Sequence, residues 1–212
     1  MSSTGRAGKV RVERRLMTAR HGARLLDRKQ HILADELERL QLRAELTRTE
    51  WEELATEAAL WLRRAAALDG SGRIETAAPP ESARVQLLWG STMGVAYPED
   101  PECHLPVTPP AGGSSALSYT AAVHRSALEA GVRYAAVQRA ERLLTAELAA
   151  TRTRQRAVEN RWIPRLEKEL MDIRRQLDAQ ELEESLRLRW AADRNAGTTR
   201  GPAQDADRKV GA

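Results

Sequence analysis

Phenylalanine is absent from this 212-residue sequence. Its only aromatic rings are Trp51, Trp61, Trp89, Trp162 and Trp190 with Tyr97, Tyr119 and Tyr134. Leucine and alanine dominate the apolar residues instead, a composition that favours thin helix–helix seams over a thick globular core. Cysteine occurs once, at Cys103, which excludes an intrachain disulfide and fits a reducing compartment. No apolar run approaches the roughly 18 residues of a membrane span, so no direct span is expected. The arginines near the N-terminus are followed by no apolar segment of the signal-peptide kind. Proline and glycine are scarce outside 69–118, which holds seven of the nine prolines and six of the thirteen glycines.

What is present is charge and periodicity. The formal net charge is only +4, but residues 1–31 carry nine Lys or Arg against Glu13 and Asp27, whereas 69–118 carry two Arg against six acids. A basic end and an acidic middle imply different neighbours. From Leu16 onward, Ala19, Ala23, Leu26, Gln30, Leu33, Leu37, Leu40, Ala44, Thr47, Trp51, Leu54, Ala58, Trp61, Ala65 and Leu68 alternate spacings of three and four. That pattern predicts one helix over 11–68, whose stretch from Leu16 to Leu68 runs roughly 80 Å at about 1.5 Å per residue, with a seam that needs a partner helix. Gly22 is its one interior glycine and costs about 1 kcal/mol relative to Ala unless close packing uses the missing side chain.

Helix is expected to stop at Asp69-Gly70-Ser71-Gly72, and the prolines of 69–118 bar it from the middle segment. A short strand at 83–89, with a partner at 95–97 after a turn at Gly94, would form a small hairpin there. Helix resumes near 119 and runs to about 194. Its seam includes Val137, Leu144, Val158 and Trp162, and after Pro164 the apolar register moves to Leu166, Leu170, Ile173 and Leu177. Such a shift is a stutter, and Pro164 should bend the helix locally. Residues 1–10 read as a flexible basic N-terminus and 195–212 as a disordered tail. The fold class is therefore mainly α. Two long amphipathic helices either fold back as an antiparallel two-helix coiled coil or pair in an extended homodimer, and heptads alone leave both open.

Candidate chemical sites are weak. Cys103-His104 is an adjacent thiol and imidazole, but zinc wants about four suitably spaced ligands, and His21, His31 and His124 are remote. Gly5-Arg6-Ala7-Gly8-Lys9 lacks the spacing and preceding strand of a phosphate loop. The carboxylates around Glu141 and Glu181 sit on solvated helix, where no walled pocket would perturb them. Arg11, Arg14, Arg15, Arg20, Arg24, Arg28 and Lys29 could grip phosphates, yet no aromatic interleaving accompanies them, and nucleic acid is not expected. No catalytic residue, cofactor or metal is expected.

Three stretches carry a resemblance. They are 15–30, with Leu16, Ala19, Gly22 and a Leu25-Leu26-x-x-Lys29 element; 89–98, with Met93-Gly94-Val95 and Pro98; and 151–167, with Ile163-Pro164-Arg165-Leu166-Glu167. Together, in order and spacing, they resemble the D subunit of the V-type and archaeal-type rotary ATPases. The resemblance implies a non-catalytic central-stalk rotor whose paired helices enter an A3B3 catalytic ring. It also implies binding to a small F-like rotor subunit and an approach to the membrane-side rotor subunit, coupling ATP hydrolysis or ATP synthesis to ion transport, hydrogen ions included. It implies a cytoplasmic location, peripheral to the membrane face. By the same resemblance Arg15, Arg20, Arg24, Arg28, Arg174, Arg175, Arg187 and Arg189 would face ring loops, while Met93, Gly94, Val95 and Pro98 would serve the opposite end. A coiled-coil scaffold that never rotates, or a basic coiled coil associated with nucleic acid, is the alternative reading.

Overall fold

The computed structural model describes residues 5–107 and 112–198. In chain order it contains α1 (Arg6–Asp69), α2 (Ser71–Ala77), β1 (Arg84–Thr92), β2 (Val95–His104), α3 (Ser115–Ala157), a π-helical turn (Val158–Trp162) and α4 (Ile163–Thr198). The fold is mainly α: the N- and C-terminal helices pair as an antiparallel coiled coil, and the middle carries a two-stranded antiparallel sheet. The chain divides into two compact units, one built from described residues up to Arg24 and from Arg156 onward, the other from 25–155.

In the first unit the opening turns of α1 run against α4. Val12, Leu16, Leu166, Leu170 and Ile173 are buried together, with Ala19, Ile163 and Leu177 half-buried around them. α1 begins at Arg6 rather than near 11, because Val12 has this cluster to bury itself in and the turn before it is drawn into helix. α4 likewise continues to Thr198, since a single glycine near a helix end is tolerated. The rest of the expected flexible ends, 1–4 and 199–212, lies outside the described residues.

Trp162 corrects the expected seam: it is 52% exposed. The reason is the π-helical turn, in which the Ile163 N–H reaches back to the Val158 carbonyl. A π turn inserts about one residue and rotates the residues after it by roughly 100° relative to an unbroken α-helix. Trp162 is carried off the seam, and Leu166, Leu170 and Ile173 are carried onto it. The turn directly precedes Pro164, whose missing N–H would break an ordinary α-helical ladder.

In the second unit the remainder of α1 runs against α3. Leu33, Leu40 and Ala44 meet Val137, Ala140, Leu144 and Leu148 in one core, and Ala58 meets Val123 and Ala127 in another. Small residues on both helices let the backbones approach, and the aromatic rings fill what is left. Trp51 stacks on Tyr134 with centroids 5.6 Å apart, its indole against Gly131, and Trp61 meets Tyr119 at 4.5 Å.

The middle segment departs from expectation in two ways. Gly70, at φ 79°, ends α1, but a new short helix, α2, starts at once and includes Gly72. The hairpin is also longer than expected: β2 runs through Pro98 and Pro101 to His104. A two-stranded sheet has only edge strands, where proline is tolerated if its missing N–H faces outward. Pro98 opposes Trp89 and Pro101 opposes Leu87, and the bulge at Glu99 puts both prolines opposite residues of the same phase. The two-residue turn places Met93 (φ 51°) and Gly94 (φ 82°) in the left-handed region, the requirement of a type I′ hairpin.

An isolated hairpin of this size is marginal, and Tyr97 supplies its support. The ring is 3% exposed, within the Leu33–Leu144 core. Burying a tyrosine removes roughly 150–250 Å² from water, several kcal/mol at about 25 cal/mol per Å². Its hydroxyl donates to Glu36 at 2.8 Å and lies 3.2 Å from the Thr92 hydroxyl, bonds of about 1 kcal/mol each that orient the ring rather than hold it. The hairpin is pinned further where Arg43 reaches Asp100 at 2.7 Å.

α3 begins at Ser115, four residues earlier than expected, because Ser114 caps it. Its hydroxyl accepts the Leu117 N–H at 3.3 Å, while its own N–H donates to Asp69 at 2.9 Å and its hydroxyl donates to the same carboxylate. Asp69 at the end of α1 thus clasps the start of α3.

Two glycines and two carboxylates make this packing testable. No neighbouring atom lies within 4 Å of a Cβ built at Gly22, whereas one built at Gly131 would sit 3.0 Å from Trp51 Nε1. Gly22→Ala should therefore stabilise the chain by about 1 kcal/mol, and Gly131→Ala should gain nothing or lose stability, as read by calorimetric melting. The Ser114 hydroxyl and amide hold the Asp69 carboxyl below its ordinary range, and Lys29, bonded at 2.7 Å, does the same for Glu147. The unfolded chain then binds more protons than the folded one across that range. Stability from both groups is complete above the ordinary carboxylate pKa and declines as pH falls through their depressed values. Glu147→Gln should flatten that acid limb in pH-dependent melts.

Candidate interaction surfaces

The first unit is tied by a ladder of ion pairs at heptad spacing. Arg6 meets Glu181 at 3.2 Å, Glu13 meets Arg174 at 3.0 Å, and Arg20 meets Glu167 at 2.7 Å. Each step is seven residues up one helix and seven down the other, and the sign reverses at every rung. All three pairs are exposed, so each is worth well under 1 kcal/mol. What they contribute is register. A slip of one heptad would keep the apolar seam intact but set Arg6 against Arg174 and Glu13 against Glu167, so the alternation opposes the one misalignment the seam tolerates.

The ladder takes two of the expected ring-contact arginines, Arg20 and Arg174, into helix pairing. Arg187 lies 3.8 Å from Glu183 on its own helix. Arg15, Arg24, Arg28, Arg175 and Arg189 are exposed and make no ion pair among the described residues. Met17 and Met171, both exposed, help line an open groove of about 900 Å³ between α1 and α4. Past the Arg6–Glu181 rung, α4 carries Leu182, Leu186 and Trp190, exposed and four residues apart on one face.

Of the expected seam residues, Leu16, Ala23, Leu33, Leu40, Val137, Leu144, Leu166 and Ile173 are buried, whereas Leu26, Leu37, Trp51, Leu54, Trp61, Val158 and Leu177 are half-buried. Of the middle element, Pro98 is fully buried, Val95 is half-buried, and Met93 and Gly94 are exposed at the turn. The hairpin lies in the unit of 25–155 together with Arg28, whereas Arg15, Arg24, Arg175 and Arg189 lie in the other unit.

Chemical candidates stay apart. Cys103 is half-buried opposite Val85 in the sheet, and His104 lies 3.8 Å from Glu102 on its own strand. Among the described residues no group of three or more His, Cys, Asp or Glu could hold a metal, and no helix is long and apolar enough to cross a membrane. A second cavity, about 320 Å³, is lined mainly by apolar side chains such as Leu62, Ile74, Leu105, Leu117 and Leu128. The residues not singled out from the sequence are Tyr97, the Asp69–Ser114 clasp and the glutamates of the ladder. The ladder is legible as Arg-Glu-Arg at 6, 13 and 20 against Glu-Arg-Glu at 167, 174 and 181. The Tyr97 contact is not, because no repeating pattern marks which hairpin residue meets the helices.

Similarity to known proteins extends along most of the chain. The family model for the D subunit of ATP synthase matches residues 9–193. The D subunit of the V-type ATP synthase of Anaeromyxobacter dehalogenans (strain 2CP-C) is 31% identical over 200 residues, covering 89% of this chain and 94% of that protein. The protein of the same description from Anaeromyxobacter sp. (strain K) is 30% identical over the same shares.

The ladder generates its own test. Glu13→Arg and Arg174→Glu should each cost about 0.5–1 kcal/mol, and the double exchange should restore most of the loss. A double-mutant cycle with no coupling would remove the register role.

Proposed function

Since the chain belongs to the family of ATP synthase D subunits, we propose that it is the central rotor shaft of a V-type ATP synthase, itself without catalytic residues. The observation that carries this reading is the first unit: two helices locked in register by the sign-alternating ladder, with arginines left over on the outside. A shaft must transmit torque without its helices sliding, and a ladder that makes the heptad slip repulsive serves that need. Its surface must also turn past a succession of partners without locking to one. Exposed arginines are suited to this, because interactions between exposed charges are weak and are screened within about 8–10 Å.

In this reading the first unit enters the A3B3 ring, with Leu182, Leu186 and Trp190 as the apolar leading face of α4 and Arg15, Arg24, Arg175 and Arg189 facing ring loops, and Arg28, in the second unit, is a further ring contact. Arg20, Arg174 and Arg187 act mainly within the shaft. The π-helical turn before Pro164 gives one helix a local asymmetry, so successive catalytic interfaces meet different faces. The second unit, with its acidic middle segment, serves the small F-like subunit and the membrane-side rotor, holding the chain peripheral to the cytoplasmic face of the membrane.

Native mass spectrometry of the assembly from mildly solubilised membranes tests the assignment. The expected particle has one copy of this chain, one small subunit and three each of two larger nucleotide-binding subunits. A symmetric homodimer free of those partners would leave the coiled coil and remove the rotor. In the intact assembly, replacing Arg15, Arg24 and Arg28 by Glu should lower ATP-driven ion uptake roughly twofold or more while the ring still hydrolyses ATP. Unchanged coupling would sink the sliding-surface role.

A further inference from the structure

The two edges of the hairpin differ. β2 has what protects an edge strand: Pro98 and Pro101, the bulge at Glu99, and the charges of Glu99, Asp100 and Glu102. β1 has no proline, no bulge and one charge, Arg84, at its first residue. Both sides of β1 matter. Pro98 and Pro101 have no N–H to give the ladder, so their partners Trp89 and Leu87 occupy non-hydrogen-bonded pairs, with N–H and C=O directed away from β2. At the strand period of two, Val85 shares that phase, and the side chains of all three fall on one face. They are 47%, 40% and 59% exposed for Val85, Leu87 and Trp89. Among the described residues nothing pairs with this edge.

We propose that the free edge of β1 receives an extended segment of a partner protein by strand addition, the segment carrying basic residues among alternating apolar ones. The backbone groups of Leu87 and Trp89 supply the hydrogen bonds, and the Val85, Leu87 and Trp89 stripe supplies the apolar contact. Charge selects the occupant. From 81 to 104 the chain has Glu81, Glu99, Asp100 and Glu102 against Arg84 alone, and Asp100 is already paired with Arg43. A second copy would bring like-charged acidic hairpins together, whereas a basic strand is drawn to them. This inference rests on membership in the assembly and stands whether or not the chain rotates.

Amide hydrogen exchange, compared between the isolated full chain and the assembled complex, tests it. The amides of Leu87 and Trp89 should exchange freely in the isolated chain and slow roughly tenfold or more in the complex. The inward amides of Gln86, Leu88 and Gly90 should be slow in both. Equal rates at Leu87 and Trp89 in the two samples would overturn strand addition. Slowing in the isolated chain that grows with its concentration would assign the edge to a second copy and overturn the partner. In the complex, Leu87→Pro removes an outward donor without touching the ladder and should release the protection at Trp89. Exchanging Glu99 and Glu102 together for Lys should weaken the slowing, and protection indifferent to that reversal would rule out a basic segment.

Discussion

Everything in this chain depends on two helices keeping one alignment along an apolar seam. A seam made of repeating leucine and alanine is sticky but nearly degenerate, since a shift of seven residues presents another set of the same side chains. The alternating rungs Arg6–Glu181, Glu13–Arg174 and Arg20–Glu167 lift that degeneracy in the first unit. In the second unit irregular features do the same work: an indole against a glycine at Trp51 and Gly131, and a tyrosine wedged into the core from a hairpin. Weak charges and unique shapes thus settle what hydrophobic burial alone leaves open.

The division of labour between burial and polarity recurs at each join. Tyr97 holds the hairpin by its ring and aims it by its hydroxyl. Lys29 and Glu147, each largely screened from solvent, tie α1 to α3 beside the core. The π-helical turn shows the opposite trade: the ladder gives up its regularity before Pro164, and the following apolar residues return to the seam while Trp162 is left in solvent.

The long helices are legible because amphipathic periodicity is a local property, repeated often enough that single exceptions do not matter. The same periodicity places Trp162 on the seam, because counting by heptads assumes an unbroken α-helix throughout, and an inserted residue is invisible to it. Prolines suggest an early end to β2, although in a two-stranded sheet an outward-facing proline costs no ladder bond. The early start of α3 is written in Ser114, an N-cap three residues before Leu117, but its partner Asp69 lies 45 positions away. The surface arginines are visible as a group. Arg187 lies one turn from Glu183 on its own helix, but the commitment of Arg174 to Glu13 and of Arg20 to Glu167 is set by how the helices pair.

The Asp69–Ser114 clasp has a consequence for how such a chain can change over time. By joining the end of α1 to the start of α3, it turns the whole middle segment into a closed excursion whose two feet are fixed. For a flexible loop between fixed ends the entropic penalty of added length grows only logarithmically. The excursion can therefore lengthen, shorten or exchange its contents while the paired helices keep their register, provided something still covers the site Tyr97 fills. A protein built this way can change what it presents at its middle without redesigning its paired helices.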